Sequence, residues 1–400
     1  MRLPYLRRSR SSGARRFRFS REGIVYVTLM TVLFSAAFLS QVNLLILLFG
    51  MMAGPFILSG SIVLSMLRGA TARRMLPSYA VAGEPFAVEI EAATRHRWLG
   101  VRTLVVRDYL SRPSSGLVGL AFFDRVLPGP ARAVHYHATL PQRGRYGFAH
   151  LRLSSRFPLG LIERAKILDC PADLIVYPRL GRLTRRWKQL KRAMLESAAS
   201  YRPRKALMQD EYHGLRAFRP GDSARWIHWR TSARKGELMV KEFEHPLRQD
   251  LGVLLDAWLP AQPQPADHER LEQAISFAAT LCVDLRRSGA SRLLLGLAAE
   301  EPRVWQGACS QRLLHELLEQ LAVLSGSSEA SLPSLLERLA PMDLAGLAFV
   351  IVTPRTPDLR DELGNHRASP IAQSVWRAIA RHAHLISVAR GDVAAYTRWE

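Results

Sequence analysis

Cysteine is scarce in this chain: three residues in 400, Cys170, Cys282 and Cys309, with no Cys-x-x-Cys pair among them. That excludes a disulfide scaffold and reads as free thiols in a reducing compartment. The familiar catalytic spellings are missing too. There is no Gly-x-Ser-x-Gly elbow, no His-Glu-x-x-His, no Walker loop and no glycine-rich dinucleotide fingerprint. Acid is also in short supply, with 34 Asp and Glu against 56 Lys and Arg and a formal net charge of +22. A basic field of that size recruits phosphates, so nucleic acid is the first partner to weigh.

The position of the charge gives it another meaning. Arg2, Arg7, Arg8, Arg10, Arg15, Arg16, Arg18 and Arg21 crowd the N-terminus against the single acid Glu22. Ile24 to Ser40 then carries no charge, and after Gln41-Val42-Asn43 a second uncharged run follows from Leu44 to Leu67. Runs of about 17 to 25 apolar residues span a hydrocarbon core of about 30 Å. A cleaved signal peptide is disfavoured, because the first run leads almost directly into the second. The expectation is a transmembrane helical hairpin. Arginines precede the first span and Arg68, Arg73 and Arg74 follow the second, so both ends are expected in the cytoplasm. Gly50 and Gly54 match a small-xxx-small pattern, although glycine is common in such helices and Gly54-Pro55 accounts for it as a kink.

From about residue 78 to 178 the signals are for strands. Phe86 to Ala92 and Ala133 to Leu140 alternate, and Thr103 to Asp108 is β-rich. Arg112-Pro113-Ser114-Ser115-Gly116 and Leu127-Pro128-Gly129-Pro130 separate them. Short strands at this spacing predict an antiparallel β-sandwich of immunoglobulin-like architecture. Arg182 to Arg204 is basic and reads as a surface helix or mobile connector whose charges are solvated or held near anionic lipid headgroups. Beyond Glu244 strands and helices alternate: strands at 251–256, 291–299, 347–353 and 385–389, helices at 268–287, 311–324 and 371–382. That predicts a doubly wound α/β sheet with its crevice at the strands' carboxyl ends, where Asp256 and Thr353 lie.

This last region invites comparison with the von Willebrand factor A fold, whose adhesion-type metal site uses Asp-x-Ser-x-Ser after the first strand. Here the loop reads Asp256-Ala257-Trp258-Leu259-Pro260, and Thr353-Pro354-Arg355-Thr356 follows the later strand without a carboxylate. A hard divalent cation needs several oxygen ligands. The site is therefore degenerate: no metal and no other cofactor is expected, and Asp256 reads as a strand-end cap or an arginine's partner. His135-x-His137 and His382-x-His384 lack the further ligands of a structural zinc site.

The densest chemistry is RPGDSARWIHWRTSARKGELMVKEFE, Arg219 to Glu244. Proline second and glycine third in Arg219-Pro220-Gly221-Asp222 satisfy a type II turn. Asp222 or Ser223 is placed to cap a helix. Trp226, Trp229, Arg230 and Ala233 share one helical face, predicting inward-packed tryptophans; Gly236 ends the helix and a strand follows over 238–243. Arg225 and Arg234 are then free to pair with Asp222, Glu211 or a partner's carboxylate. Two competing readings use the same residues. One is a hydrolase or ligand-binding enzyme built on Glu211, Arg216 and Asp222. The other is a nucleic-acid grip in which tryptophans stack and arginines meet phosphates; the interleaved Asp210, Glu211, Asp222, Glu237, Glu242 and Glu244 weigh against it.

The pattern Glu211-x-x-Gly214-Leu215-Arg216-x-Phe218-x-Pro220-Gly221-Asp222-x-x-Arg225-x-Ile227-x-Trp229-x-x-Ser232-Ala233-Arg234, with Leu238 and Lys241 beyond, strongly resembles the signature of the bacterial "domain of unknown function 58" family. Gln142 to Tyr146 and Leu174 to Pro178 look like family features as well. The resemblance implies a basic N-terminus (1–22), two transmembrane helices (23–67), a β-sandwich (76–180), a linker or surface helix (181–205), the signature (206–244) and a von Willebrand A-like domain (245–400). Family members are typically encoded beside MoxR-type AAA+ ATPases, and often beside membrane proteins with transglutaminase-like domains. That implies a non-enzymatic, two-pass adaptor in the bacterial inner membrane, in contact with lipid and an ATPase, whose interface residues are Glu211, Gly214, Arg216, Pro220, Gly221, Asp222, Arg225, Trp229, Ser232, Arg234 and Lys241.

Overall fold

The computed structural model describes residues 16–40, 42–113, 116–199, 211–219, 222, 224–244, 250–329, 331–344, 346–356 and 368–399. The chain divides into two compact units, Met1–Arg179 and Leu180–Glu400.

The first unit opens with a strand, β1 (Arg16–Phe19), where the sequence suggested only a basic tail. Two helices follow, α1 (Arg21–Ser40) and α2 (Asn43–Gly69), both long and apolar enough to cross a membrane. Their side chains are largely exposed, Leu29, Phe38, Leu47 and Ile57 among them. They pack on each other through Phe34 and Phe49, with ring centroids 5.0 Å apart, and through Tyr26, whose hydroxyl donates to the Met52 carbonyl at 2.9 Å. Pro55 lies inside α2 without ending it. Having no N–H, it leaves one helical carbonyl unpaired, a defect tolerated in membrane helices.

Eight strands complete this unit: β2 (Ala70–Met75), β3 (Ala80–Val81), β4 (Pro85–Thr94), β5 (Val101–Arg112), β6 (Gly116–Val126), β7 (Arg132–Thr139), β8 (Gly144–Ser155) and β9 (Ile162–Tyr177). One sheet runs β1-β9-β8-β5-β6, with β3 parallel to β9; the other is β2-β4-β7. Alternate residues of β4, such as Phe86, Val88, Ile90 and Ala92, turn into a core shared with Leu104, Val106, Phe123 and Leu153 of the larger sheet. Alternation of this kind marks strands with one solvated face. The core contains one charged cluster. Arg74 of β2 binds both carboxylate oxygens of Asp108 on β5, with Nε to Oδ2 at 2.7 Å, and donates to the Cys170 carbonyl at 2.6 Å. The Tyr136 hydroxyl donates to the same Asp108 oxygen at 2.7 Å. Burial, then the Asp108 charge, drive the Tyr136 phenol far above its ordinary value. The two sheets are thereby tied by a fully enclosed pair, which contributes geometry more surely than stability.

The second unit begins with β10 (Arg182–Leu183) and α3 (Arg185–Ala199). The helix keeps most of its charges in solvent but also has a buried face. Trp187 is 1% exposed and meets Phe277 edge-on at 5.9 Å, while Lys191 donates to Asp284 at 3.0 Å and Ser288 at 2.8 Å. Trp187, Lys191, Met194, Leu195 and Ala198 make up the buried face, while Arg185, Arg186, Lys188 and Arg192 stay exposed. Next come β11 (Glu211–Ala217), a 3-10 turn (Ala224–Trp226), α4 (Trp229–Lys235) and β12 (Met239–Glu244). The α/β part comprises β13 (Leu251–Asp256), α5 (Pro265–Arg287), β14 (Arg292–Ala298), β15 (Arg303–Ala308), α6 (Gln311–Val323), α7 (Leu332–Leu339), β16 (Ala348–Thr353), α8 (Pro370–Ile379), β17 (Ala383–Ser387), α9 (Asp392–Tyr396) and β18 (Thr397–Arg398).

Its sheet is ordered β15-β14-β13-β16-β17; the last four are parallel and β15 is an antiparallel edge. Every residue of β13 and β16 is buried, as their continuous apolar runs require. Pro265 at the first turn and the reciprocal Gln264–Asp267 capping box start α5. The edge strand β15 and helix α7 were not foreseen.

Candidate functional site

The signature folds as an elaborated hairpin. β11 and β12 pair antiparallel, Arg216 opposite Val240 and Ala217 opposite Met239, with a register shift between Tyr212 and Gly214. The chain between them returns to β12 a second time: Ile227 bridges Val240, and His228 N–H donates to the Met239 carbonyl at 2.8 Å. Asp222 locks this excursion. Its carboxylate accepts from Arg216 Nη1 and Nη2 at 2.6 and 2.7 Å and from the Arg219 amide at 2.8 Å. The Arg216 hydrogen bonds, followed by the Arg219 amide, lower the Asp222 carboxyl to about 2. An acid held so low is a weak proton acceptor at neutral pH.

Two expectations are corrected here. Asp222 is engaged by Arg216 rather than by Arg225 or Arg234, and the helix cap is His228, whose Nδ1 accepts from the Thr231 amide at 3.3 Å. The predicted continuous helix is interrupted by the Ile227 bridge, so α4 starts only at Trp229. Its one buried side chain is Ser232, which donates to the His228 carbonyl at 3.1 Å and accepts from the Met239 amide at 2.8 Å. With a small residue on the inner face, the tryptophans turn outward: Trp226 is 36% exposed and Trp229 66%. Arg225, Arg230 and Arg234 are exposed beside them. Gly236 ends α4 in the left-handed region at φ 73°, where a side chain is strained. Of the remaining signature residues, Gly214 and the backbones of Glu211 and Lys241 lie in the ladder; Pro220 and Gly221 fall outside the described residues.

A second cluster sits at the carboxyl end of the sheet. Asp256, fully buried, accepts from Thr353 Oγ1 at 2.9 Å and Arg355 Nε at 3.1 Å on one oxygen, and from the Trp258 amide at 3.2 Å on the other. Burial pushes its carboxyl up, opposed chiefly by the Arg355 charge. The Arg355 guanidinium lies over the Trp258 ring at 4.7 Å. Asp256 is thus an arginine's partner, as its isolation in the sequence suggested, and Trp258 helps to hold that arginine. Among the described residues no group of three or more His, Cys, Asp and Glu side chains is arranged to hold a metal ion. His135 and His137 are exposed on β7, and His135 Nε2 lies 3.4 Å from Glu89.

Both clusters fall in a single region of sequence similarity. Residues 214–369 match the family described as "Protein of unknown function DUF58". That stretch is a DUF58 region. The match runs from Gly214 in the hairpin through Asp256 and Arg355. The chain is also similar to "Uncharacterized protein YeaD" of Bacillus subtilis (strain 168), 25% identical over 253 residues. That alignment covers 62% of this chain and 61% of the relative, less than two thirds of its length. Among solved structures, the CARDB domain of the PF1109 protein from Pyrococcus furiosus is 14% identical and covers 27% of this chain and 86% of that one, with a TM-score of 0.19. Superoxide reductase (neelaredoxin) from Ignicoccus hospitalis is 19% identical and covers 26% and 80%, with a TM-score of 0.16. Scores this low carry no argument about the fold of this chain or its chemistry.

Proposed function

We propose that this protein is a non-catalytic, two-pass adaptor of a bacterial cytoplasmic membrane, whose signature hairpin docks a MoxR-type AAA+ ATPase. The observation that carries the reading is the outward pair Trp226 and Trp229, set among exposed Arg225, Arg230 and Arg234 on a hairpin locked by Arg216 and Asp222. Tryptophan and arginine dominate the energetic centres of protein interfaces, and a pre-locked surface loses little entropy on binding. The partner's docking face should be acidic, since α4 contains Arg230, Arg234 and Lys235 and no acid. The ATPase itself is inferred from family resemblance, as is an accessory role for a transglutaminase-like membrane protein.

In the same reading the β-rich unit is an immunoglobulin-like sandwich and the α/β part a von Willebrand A-like domain. Two sheets around one core support the first, and a mostly parallel sheet with one antiparallel edge supports the second. The pairing of Arg355 with Asp256 fits a degenerate adhesion-type site in this reading. The excess of arginine flanking both helices favours cytoplasmic termini and cytoplasmic soluble parts.

Binding of the purified ATPase to the full chain in lipid nanodiscs tests the proposal. Trp229→Ala and Arg225→Ala, both at exposed positions, should each weaken binding, the tryptophan by roughly tenfold or more. Unchanged affinity in both folded variants would count decisively against this surface.

A further inference from the structure

Trp98 is 95% exposed, more than any other large hydrophobic residue among those described. It sits in the 95–100 loop between β4 and β5, next to the exposed Arg95 and Arg97. The loop is fastened to α2. His96 Nε2 bonds the Ser65 carbonyl at 2.7 Å, and the Arg95 amide donates to the Gly69 carbonyl at 2.9 Å. Gly69 permits the contact, since a Cβ there would lie 2.2 Å from the His96 ring. These bonds fix the height of Trp98 along the helix.

That height can be placed against a bilayer on the two-pass reading above, from which this step starts. From Asn43 to Ile62, at about 1.5 Å per residue, α2 covers about 30 Å, one hydrocarbon core. The far end of the helix runs into protein: Ser59 is already buried, Gly60 faces Ile162, and Val63, Met66 and Leu67 lie in the core of the β-rich unit. On the same rise Ser65 lies about 4 Å and Gly69 about 10 Å past Ile62, the depth of the headgroup layer. The loop carrying Trp98 is bonded at both levels.

The other helix carries a matching contact. Ser20 donates to the Leu161 carbonyl through both its amide, at 3.0 Å, and its hydroxyl, at 3.1 Å. Gly23 approaches the same carbonyl so closely that a Cβ would lie 2.0 Å away. Two residues before Leu161 stands Leu159, 47% exposed. The Arg102 guanidinium over the Phe157 ring, at 5.5 Å, joins this second loop to the strand that follows the first. Leu127, 50% exposed, lies beside Gly100. Arg156 is paired with Glu163 at 2.8 Å.

We infer that Trp98, Leu127 and Leu159 form an interfacial collar on which the β-rich unit rests in the bilayer crossed by its own helices. Arg95 and Arg97 meet lipid phosphates beside it. The composition suits that layer, where tryptophan is enriched and arginine side chains reach charged headgroups. The consequence is orientation: three points around the helix bases hold the sheets at a fixed tilt to the membrane.

The test uses the full chain in nanodiscs whose lipid is brominated near the glycerol end of its acyl chains. The emission of Trp98 is isolated as the difference between wild type and Trp98→Phe, a variant that removes no packed side chain. The expected difference emission is blue-shifted, loses half or more of its intensity to bromolipid and resists aqueous acrylamide. An unshifted difference emission, untouched by bromolipid and open to acrylamide, overturns the collar, including the case where a protein partner rather than lipid covers Trp98 in cells. Carbonate extraction of the cell membranes that contain the full chain separates the two levels. A chain stripped by carbonate defeats the two-pass reading itself, whereas a retained chain with a water-exposed Trp98 defeats the collar alone.

Discussion

Asp222 and Asp256 are both acids beside an arginine, and their surroundings drive them in opposite directions. Asp222 lies near the surface, and two hydrogen bonds from Arg216 with a third from the Arg219 amide hold its carboxyl at about 2, below the ordinary 3.8. Asp256 lies in the floor of the sheet, where burial raises it despite Arg355. The sign of linkage follows. A depressed carboxyl favours the folded form when ionised, so the contribution of Asp222 is fully present above its unfolded value near 3.8 and is lost as pH falls towards about 2. Hydrogen-exchange protection of the β11 and β12 amides, taken relative to the intrinsic rate at each pH, should therefore fall across that window in the wild type. In Asp222→Asn protection should already be lower at neutral pH and show no such acid-dependent step. Equal exchange in the two proteins at neutral pH would mean that the fork does not hold the hairpin. The fork was only half legible in sequence: Arg216 and Asp222 both stood out, but nothing in their spacing said that they meet each other rather than Arg225 or Arg234.

At the scale of elements, the sequence was most readable where one physical signal acted alone. Uninterrupted apolar runs marked α1, α2, β13 and β16, and alternation marked β4 and β7; in the strands, burial on both faces or on one leaves that trace directly. It was least readable where a few residues decide. β1 is four residues of alternating arginine and phenylalanine that pair with β9, and the antiparallel edge strand β15, half-buried between exposed ends, carries no clear period. α3 looked like solvated charge, yet its placement rests on Trp187 against Phe277 and Tyr396. Trp187→Ala should destabilise the second unit by about 3 to 5 kcal/mol, the usual result of emptying a large aromatic site. A helix that only decorates the surface would show less than about 0.5 kcal/mol in the same denaturant titration. In α4 the helical period was read correctly, but its direction was not. The Ile227 bridge to β12 resets the phase, and the face presumed inward carries Trp229 to solvent.

At the scale of the molecule, the described residues comprise two apolar helices long enough to cross a membrane, a β-rich unit and a second unit carrying the DUF58 region. In that second unit the acids and the histidine singled out by the sequence have partners. Asp222 is held by Arg216, Asp256 by Arg355 and Thr353, and His228 caps α4. What the second unit offers outward is the tryptophan and arginine face of the hairpin. That face was legible as a composition but not as a surface, since sequence alone cannot tell a buried tryptophan from a presented one. The most direct test of the central claim places a photoreactive amino acid at position 229 of the full chain in native membranes, with Glu84, exposed in the turn before β4, as the control site. The account predicts a covalent adduct with a MoxR-type AAA+ ATPase from position 229 and little or none from position 84. No ATPase adduct from 229, or equal yields from both sites, would contradict it.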